Sequence, residues 1–318
     1  MNKNILFRAD SSSNIGIGHI IRDLVLADQF KNDKVIFACQ DLDGNIISKI
    51  PYEVSILSSN YKEEFVSLIK KKEIDLLIID HYEIDDKYEK YLKYETGVKI
   101  LSFDGNYRKH YCDFLLNQNI YADKNKYQDK VPSFCKVFCG LEYALIRDEF
   151  REIKKIKLQK KSQSITLLLT LGGADPKNDT LKIMQLLEDI SDKSLNIIVV
   201  VGRANTHLKL LEKFINASCH SYCIIKDAKN MAELMEGIDF AISSAGSTTI
   251  ELLYMKVPFF TLSIAPNQDL SYHYLIEHKL AYDVKNLKEK LSKLISSNFK
   301  LNNKIDIGMK KVAQEIIL

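Results

Sequence analysis

Hydrophobic and polar positions along the first half of the chain form short apolar runs that are separated by segments with helical spacing. The apolar runs predict buried strands at 5–7, 34–39, 54–57, 74–80, 99–103 and 114–117. The segments between them repeat apolar residues three and four positions apart, which predicts helices near 20–30, 43–50, 61–72 and 85–95. Strands that alternate with helices in this way are typical of a doubly wound parallel sheet.

The same pattern returns in the second half, after a charged stretch at 151–161 that we interpret as a linker. The second set of apolar runs predicts strands at 164–171, 196–201, 222–225, 240–243 and 259–262. A length of 318 residues suits two domains of about 150 residues each. The sequence therefore predicts an α/β protein with two Rossmann-like domains, residues 1–152 and 163–318.

Charge and hydropathy exclude several classes of partner. The net charge is +3, from 45 basic and 42 acidic residues, and this near balance argues against a protein held to nucleic acid by a basic field. We find no signal peptide and no apolar segment near the roughly 20 residues that span a bilayer. We therefore expect a cytoplasmic protein whose partners include neither nucleic acid nor membrane.

Six cysteines are scattered through the chain, and two groups of them have spacings that structural zinc sites also use. One is the pair Cys135 and Cys139, and the other is Cys219, His220 and Cys223. The two groups fall in different predicted domains and have strand-like neighbours. We therefore expect free thiols, no bound metal and no cofactor.

The stretch Gly16-Ile17-Gly18-His19 follows the first predicted strand and opens the first predicted helix. Glycines let the backbone approach a ligand, and the unpaired amides of a helix start attract an anion. The same helix end disfavours an imidazolium, which keeps His19 neutral and available as a general base. The alternative is a capping loop in which His19 only bonds the backbone.

Polar residues follow the predicted strands of the first half. They lie at the carboxyl ends of the strands, where ligands collect in doubly wound sheets. Each of them could instead be a helix cap or an ordinary loop residue. They are Asp10, Asp80-His81-Tyr82, Asp104, Asn117 and Asn119.

Two loops of the second half carry further anion signals. Gly172 and Gly173 lie between a strand and a helix predicted from about Asp179, so nearby amides could face phosphate oxygens. In the second loop, at 243–251, a helix opens with the hydroxyls of Ser247, Thr248 and Thr249, which suit a diphosphate. Glu251 follows about one turn later, where it could bind both hydroxyls of a ribose. The alternative is a capping box that uses Ser247 or Thr248 with Glu251.

Several of these segments carry a family resemblance. GIGHIIRDLVLA, IDHY, LNQN, CGLEYALIRDEF, LGGADPKN, SSAGSTTIELL and the pair Asn267-Gln268 resemble the UDP-2,4-diacetamido-2,4,6-trideoxy-β-L-altropyranose hydrolases of bacterial pseudaminic acid synthesis, a pathway that serves flagellin glycosylation. The resemblance runs to about Gln268, and 305–316 resembles the closing helix. It implies a GT-B fold, with UDP held mainly by the C-terminal domain and the sugar facing His19 across a cleft, and we expect a monomer.

The resemblance also implies roles for single residues. Water activated by His19 attacks the anomeric carbon with inversion, and no metal is needed. Amides of the two C-terminal loops stabilise the charge that develops on the diphosphate. Asp10 and Asp104 are candidates to orient His19 or to support the cationic ring. The remaining implied substrate contacts are Gly16, Gly18, Tyr82, Asn119, Gly172, Gly173, Ser247, Thr248, Thr249, Glu251, Asn267 and Gln268.

One position departs from the family pattern. The family usually has two adjacent acidic residues where this chain has Asp104 and Gly105. The change either alters sugar specificity or reflects a tighter loop. Two other functions stay open at this point: a glycosyltransferase of the same fold that needs an acceptor, and a nucleotide-sugar binding module without catalysis.

Overall fold

The computed structural model describes residues 2–153, 165–173, 175–189, 194–297 and 306–316. The chain divides into two compact units. Unit 1 comprises Met1–Leu145 and Asp306–Leu318, and unit 2 comprises Ile146–Ile305. Each unit is built around a parallel sheet of its own.

Unit 1 contains seven described strands in the order β3-β2-β1-β4-β5-β6-β7, and every neighbouring pair is parallel. The strands are β1 Asn4–Ala9, β2 Lys34–Gln40, β3 Glu53–Leu57, β4 Leu76–Asp80, β5 Lys99–Phe103, β6 Phe114–Asn117 and β7 Lys136–Cys139. The connecting helices are α1 Gly18–Ala27, α2 Lys62–Lys71 and α3 Asp86–Thr96.

Both faces of this sheet are buried, which explains the nearly continuous apolar runs. Along β1, Ile5, Phe7 and Ala9 join one core cluster, whereas Leu6 joins the cluster on the other face. The helix predicted at 43–50 is wrong, because the described chain forms only a short 3₁₀ turn at Ile47–Lys49. There the side chain of Asn45 accepts a hydrogen bond from the Ile47 amide, a local bond that competes with a helix.

Unit 2 repeats the architecture with six described strands in the order β10-β9-β8-β11-β12-β13. The strands are β8 Thr166–Thr170, β9 Asn196–Val201, β10 Ser221–Lys226, β11 Phe240–Ser244, β12 Phe259–Leu262 and β13 Tyr282–Asp283. The helices are α4 Asp148–Ile153, α5 Asp179–Glu188, α6 Leu208–Ile215, α7 Met231–Glu236, α8 Thr248–Met255, α9 Asp269–Glu277 and α10 Leu287–Ser297.

The boundaries of the two units differ from those expected at 1–152 and 163–318. Residues 151–153 of the expected linker belong to α4, and 154–161 lie outside the described residues. The C-terminal segment, with helix α11 Val312–Glu315, packs on unit 1. Val312 is buried in the first core cluster, and Lys136 Nζ lies 2.7 Å from the Glu315 carboxylate.

The strand order of each sheet reverses at one point, between β1 and β4 in unit 1 and between β8 and β11 in unit 2. Ala9 pairs with Asp80 at the first reversal, and Thr170 pairs with Ser243 at the second. Ligands of doubly wound sheets bind at such switch points. The reversals therefore lie beside the loops that carry the predicted site residues. No helix in the described part of the chain is both long and apolar enough to span a membrane.

Candidate functional site

His19 is the second residue of α1 and is bound to Asp80 at the end of β4. Its Nδ1 lies 2.8 Å from the Asp80 carboxylate and 3.1 Å from the Asp80 carbonyl oxygen. Because both partners are acceptors, Nδ1 carries the proton and a neutral ring keeps its lone pair on Nε2. The ring therefore does bond a backbone carbonyl, as in the capping alternative, but a buried carboxylate orients it as well.

Arg22 completes this cluster from the next turn of α1. Its guanidinium donates to both carboxylate oxygens of Asp80, and its Cζ atom lies 5.0 Å from the centre of the Phe103 ring. Burial alone would raise the pKa of the Asp80 carboxyl, but Arg22 and His19 hold it well below its usual range. Asp80 is therefore an anion that can stabilise an imidazolium at His19.

Asp80, the last residue of β4, and the next two residues contact two different groups. Asp80 binds His19, and Tyr82 packs edge-on against the same ring at a centroid distance of 4.9 Å. The Tyr82 side chain is 54% exposed, so it borders the histidine on the solvent side. His81 points instead to Asp10, with Nε2 at 3.1 Å from the carboxylate.

The expectation that Asp10 or Asp104 orients His19 is wrong, because Asp80 takes that place. Asp10 accepts two bonds from Arg8, at 2.6 and 2.8 Å, and one from the Gln40 amide at 2.7 Å. Burial would raise the pKa of Asp10, but the bonds from His81 and Arg8 hold it well below its usual range. Asp10 is thus an ionised residue whose bonds are made within unit 1.

Asp104 is bonded to a second set of residues within unit 1. The Tyr127 hydroxyl donates to it at 2.6 Å, and the amides of Asn106 and Arg108 donate at 3.2 Å. These contacts place Asp104 at the start of the loop after β5, with His110 Nε2 3.6 Å away. Its described partners do not include His19.

Gly105 fits the reading of a tighter loop. A Cβ atom at this position would lie 2.9 Å from the side-chain nitrogen of Asn119 and 3.4 Å from the Tyr121 hydroxyl. Asn119 is itself fixed by a 2.9 Å bond to the Asn117 side chain, and Tyr121 donates to the Gly105 carbonyl. A second acidic residue here would therefore displace Asn119, one of the predicted sugar contacts.

His110 makes the stability of unit 1 dependent on pH. Its Nδ1 lies 2.8 Å from Glu89, and although burial lowers the pKa of His110, Asp104 and Glu89 raise it to about 9. Because the pKa of His110 is raised above its unfolded value of about 6.5, its protonation stabilises the folded state fully below pH 6.5. This stabilisation is lost as the pH rises through 9. We expect wild type to lose about 1 to 3 kcal/mol of unfolding free energy between these limits, beyond any loss in His110→Gln.

Urea titrations at a series of pH values measure this difference, with His278→Gln as the control because His278 is exposed on unit 2. The control should follow the wild-type curve. Parallel curves for wild type and His110→Gln would mean that other groups cause the pH dependence.

The first glycine loop of unit 2 is shaped by backbone packing. Gly172 has a φ of +90°, and a Cβ on Gly202 would lie 2.3 Å from the Gly173 carbonyl oxygen. The start of the next helix, α5, already has an acidic partner. The Asp175 carboxylate accepts from the amides of Asp179 and Thr180, at 2.8 and 2.9 Å, so these amides already have an anion. The Gly172 and Gly173 amides stay the predicted phosphate contacts.

The second loop leads into α8 without a capping box. Ser247 is the N-cap residue but makes no side-chain cap bond, and Glu251 is the fourth residue of the helix. The buried Thr249 hydroxyl donates to the Gly246 carbonyl at 2.7 Å, whereas Ser247 is exposed and Thr248 is half-buried. The hydroxyl of Ser247 and the carboxylate of Glu251 are therefore not used in capping the helix.

Glu251 is instead held by Arg147, a residue that we did not single out from the sequence. Oε1 of Glu251 accepts from Arg147 Nε at 3.0 Å and Nη2 at 2.8 Å, and none of the described residues bonds Oε2. Burial raises the pKa of Glu251, and Arg147 opposes that rise. Arg147 lies within the block CGLEYALIRDEF of the family resemblance, and this block was the signal in the sequence that could have identified it. One carboxylate oxygen is thus left for a ligand.

The Asn267-Gln268 pair lies in a 3₁₀ turn after β12. A Cβ on Gly246 would lie 3.6 Å from Nε2 of Gln268, so this amide borders the second loop. Gln268 is held in place because its Oε1 accepts from the Ile264 amide at 3.1 Å. Asn267 is exposed.

Two residues of the second cysteine group, Cys219 and His220, lie beside Glu188 in unit 2. Among the described residues, the ligand atoms of Glu188, Cys219 and His220 lie within 4.8 Å of one another. The carboxylate accepts from the Cys219 amide, and His220 bonds the carbonyl of Leu187. These contacts connect the end of α5 to the loop before β10.

Comparison with known proteins places the chain in a family. No protein-family model matches the chain. It is 43% identical over 281 residues to the UDP-2,4-diacetamido-2,4,6-trideoxy-beta-L-altropyranose hydrolase of Campylobacter jejuni, covering 88% of this chain and 98% of that protein. It is also 28% identical to the spore coat polysaccharide biosynthesis protein SpsG of Bacillus subtilis, covering 82% of this chain and 77% of that one.

Among solved structures, MurG of Acinetobacter baumannii superposes with a TM-score of 0.65 at 12% identity, covering 93% of this chain and 91% of that one. This likeness concerns the fold alone and confirms the predicted GT-B class. The identity to the Campylobacter protein extends over nearly all of that protein's length. The chain therefore belongs to the family of the UDP-2,4-diacetamido-2,4,6-trideoxy-β-L-altropyranose hydrolases.

Proposed function

We propose that this protein hydrolyses the UDP-sugar named for its relative, UDP-2,4-diacetamido-2,4,6-trideoxy-β-L-altropyranose, to UDP and the free sugar. The observation that carries the proposal is the pairing of His19 with Asp80. A carboxylate on Nδ1 leaves the Nε2 lone pair of a neutral imidazole for an attacking water. The relative's 43% identity supports the choice of substrate.

In this mechanism, water attacks the anomeric carbon from the face opposite the diphosphate, and its proton passes to Nε2 of His19. The bond between the anomeric carbon and the diphosphate oxygen breaks, and its electrons stay on UDP. Because the water attacks from the opposite face, the anomeric configuration is inverted. Asp80 stabilises the imidazolium, and Tyr82 is positioned to contact the sugar.

The nucleotide is assigned to unit 2. The loops that begin at Gly172 and at Ala245 follow the two strands of the switch point, β8 and β11, where a diphosphate meets backbone amides. The amides at Gly172, Gly173 and the 247–249 turn stabilise the charge that develops on UDP. Glu251 binds the ribose hydroxyls through Oε2, while Arg147 holds Oε1. Gln268 contacts the same nucleotide from the turn beside Gly246.

We further place the reaction in cytoplasmic pseudaminic acid synthesis and expect a monomer. A glycosyltransferase is the second candidate, since MurG shares the fold. Incubating the purified protein with the UDP-sugar in water, and following the anomeric protons by NMR, separates the functions. UDP and free sugar of inverted configuration support the hydrolase. Turnover that requires an added acceptor indicates a transferase, and binding without turnover indicates a binding module.

Replacing Glu251 tests the nucleotide assignment. We expect Glu251→Ala to weaken UDP binding by about 1 to 3 kcal/mol, because the ribose hydroxyls lose a charged acceptor. Arg147→Ala should weaken it less, since Glu251 stays but loses the partner that orients and neutralises it. Isothermal titration calorimetry with UDP measures both variants.

Glu277→Ala is the matched control, because Glu277 is an exposed helical glutamate of the same unit. Its UDP affinity should equal that of wild type. Unchanged affinity in Glu251→Ala would show that the ribose binds elsewhere.

A further inference from the structure

Asp23 is a fully buried carboxyl group beside the His19–Asp80 pair, and the mechanism above does not use it. It lies on α1, four residues after His19 and therefore on the same face of the helix. Its exposed fraction is 0%, and neither side-chain oxygen has a hydrogen-bond partner among the described residues. An unpaired buried carboxylate is costly, so this group calls for an explanation.

The charges around Asp23 do not neutralise it. Arg22, its neighbour on α1, directs the guanidinium to both oxygens of Asp80. The other titratable groups that face Asp23 are Asp80 itself on β4 and Cys39 on β2, with His19 one turn earlier on its own helix. One arginine therefore faces two carboxyl groups and is bonded to one of them.

We propose that Asp23 stays protonated, so that Arg22 neutralises Asp80 alone and the His19 ring stays neutral. The inference rests on the proposed role of His19 as general base. Burial and the charge of Asp80 hold the pKa of Asp23 well above its usual range, and Arg22 opposes them only in part. If Asp23 were ionised, two carboxylates beside one arginine would favour an imidazolium, which cannot accept a proton from water.

Two substitutions separate the neutral group from an ionised one. Asp23→Asn keeps the size and the neutral state, whereas Asp23→Ala removes the group beside Asp80. Because both substitutions leave a neutral position beside Asp80, we expect kcat in each variant to stay within about threefold of wild type, with KM within twofold. The midpoint for titration of the His19 ring, followed by NMR, should be the same in Asp23→Asn as in wild type.

The NMR titration uses protein without substrate, with the His19 resonance assigned by its loss in His19→Gln. It therefore answers the question even if wild type proves to have no hydrolase activity, or if Asp23→Ala fails to fold. Asp28→Asn is the matched control, because Asp28 is an exposed carboxylate at the end of the same helix. A midpoint about one unit lower in Asp23→Asn would mean that Asp23 is ionised and would overturn the proposal.

Discussion

Replacement of His19 by alanine or asparagine is expected to lower kcat by about 100- to 10,000-fold, the range that general-base catalysis contributes. KM and UDP affinity should change little, because the nucleotide is assigned to unit 2 and His19 lies in unit 1.

Steady-state kinetics, melting curves and calorimetry with UDP test this expectation together. His273→Ala is the matched control, since His273 is an exposed histidine of α9. A His19→Ala protein that melts and binds UDP like wild type, yet hydrolyses the UDP-sugar within tenfold of it, would rule out the base role. His19 would then be a capping residue of the loop.

Most of the fold follows from local sequence patterns because the strands are buried on both faces. The run KVIFAC, for example, predicts β2 within one residue of its observed bounds. Short or weakly apolar strands were missed, namely the four-residue β7 and the two-residue β13. The position of the C-terminal segment on unit 1 depends on contacts with residues such as Leu141 and Lys136, which are distant in sequence.

The candidate site was predicted less completely than the fold. The GxGH motif and the SSAGS loop are local and could be read directly, whereas the partner of His19 could not. Asp10, Asp80 and Asp104 all follow parallel strands, and their sequence neighbours do not reveal which one reaches the ring. The choice depends on the strand order, which places β4 beside β1 and so brings Asp80 to α1.

The second loop of unit 2 illustrates the same limit. The spacing of Ser247 and Glu251 suits both a capping box and a nucleotide site, because each needs a carboxylate about one turn into the helix. The structure excludes only the capping box, because Ser247 makes no cap bond and Arg147, more than 100 residues earlier, binds Glu251. Similarly, the sequence pattern did not reveal that the Asp175 carboxylate binds amides at the start of α5, the helix that follows the Gly172-Gly173 loop.

Asp80→Asn is expected to lower kcat by about 100- to 10,000-fold with little change in KM, comparable to the loss of His19 itself. The carboxylate fixes the tautomer that leaves Nε2 free and stabilises the imidazolium formed during attack. An asparagine amide can turn its NH₂ group toward Nδ1, which would move the ring proton to Nε2. The expected sign of this change is a shift of the His19 tautomer in the ¹⁵N spectrum.

The substitution also leaves Arg22 without its ion-pair partner. Because the Arg22 side chain is 33% exposed, we expect a loss of stability below the about 3 to 5 kcal/mol that breaking a fully buried pair costs. The double variant Arg22→Gln with Asp80→Asn separates the two effects, because it removes both charges together. We expect it to melt closer to wild type than Asp80→Asn does while its kcat stays low. If the double variant recovered kcat along with its stability, Asp80 would serve the fold rather than the base.

Asp104→Asn provides the comparison between the two carboxylates. A shifted His19 tautomer in Asp104→Asn, with none in Asp80→Asn, would return the orienting role to Asp104.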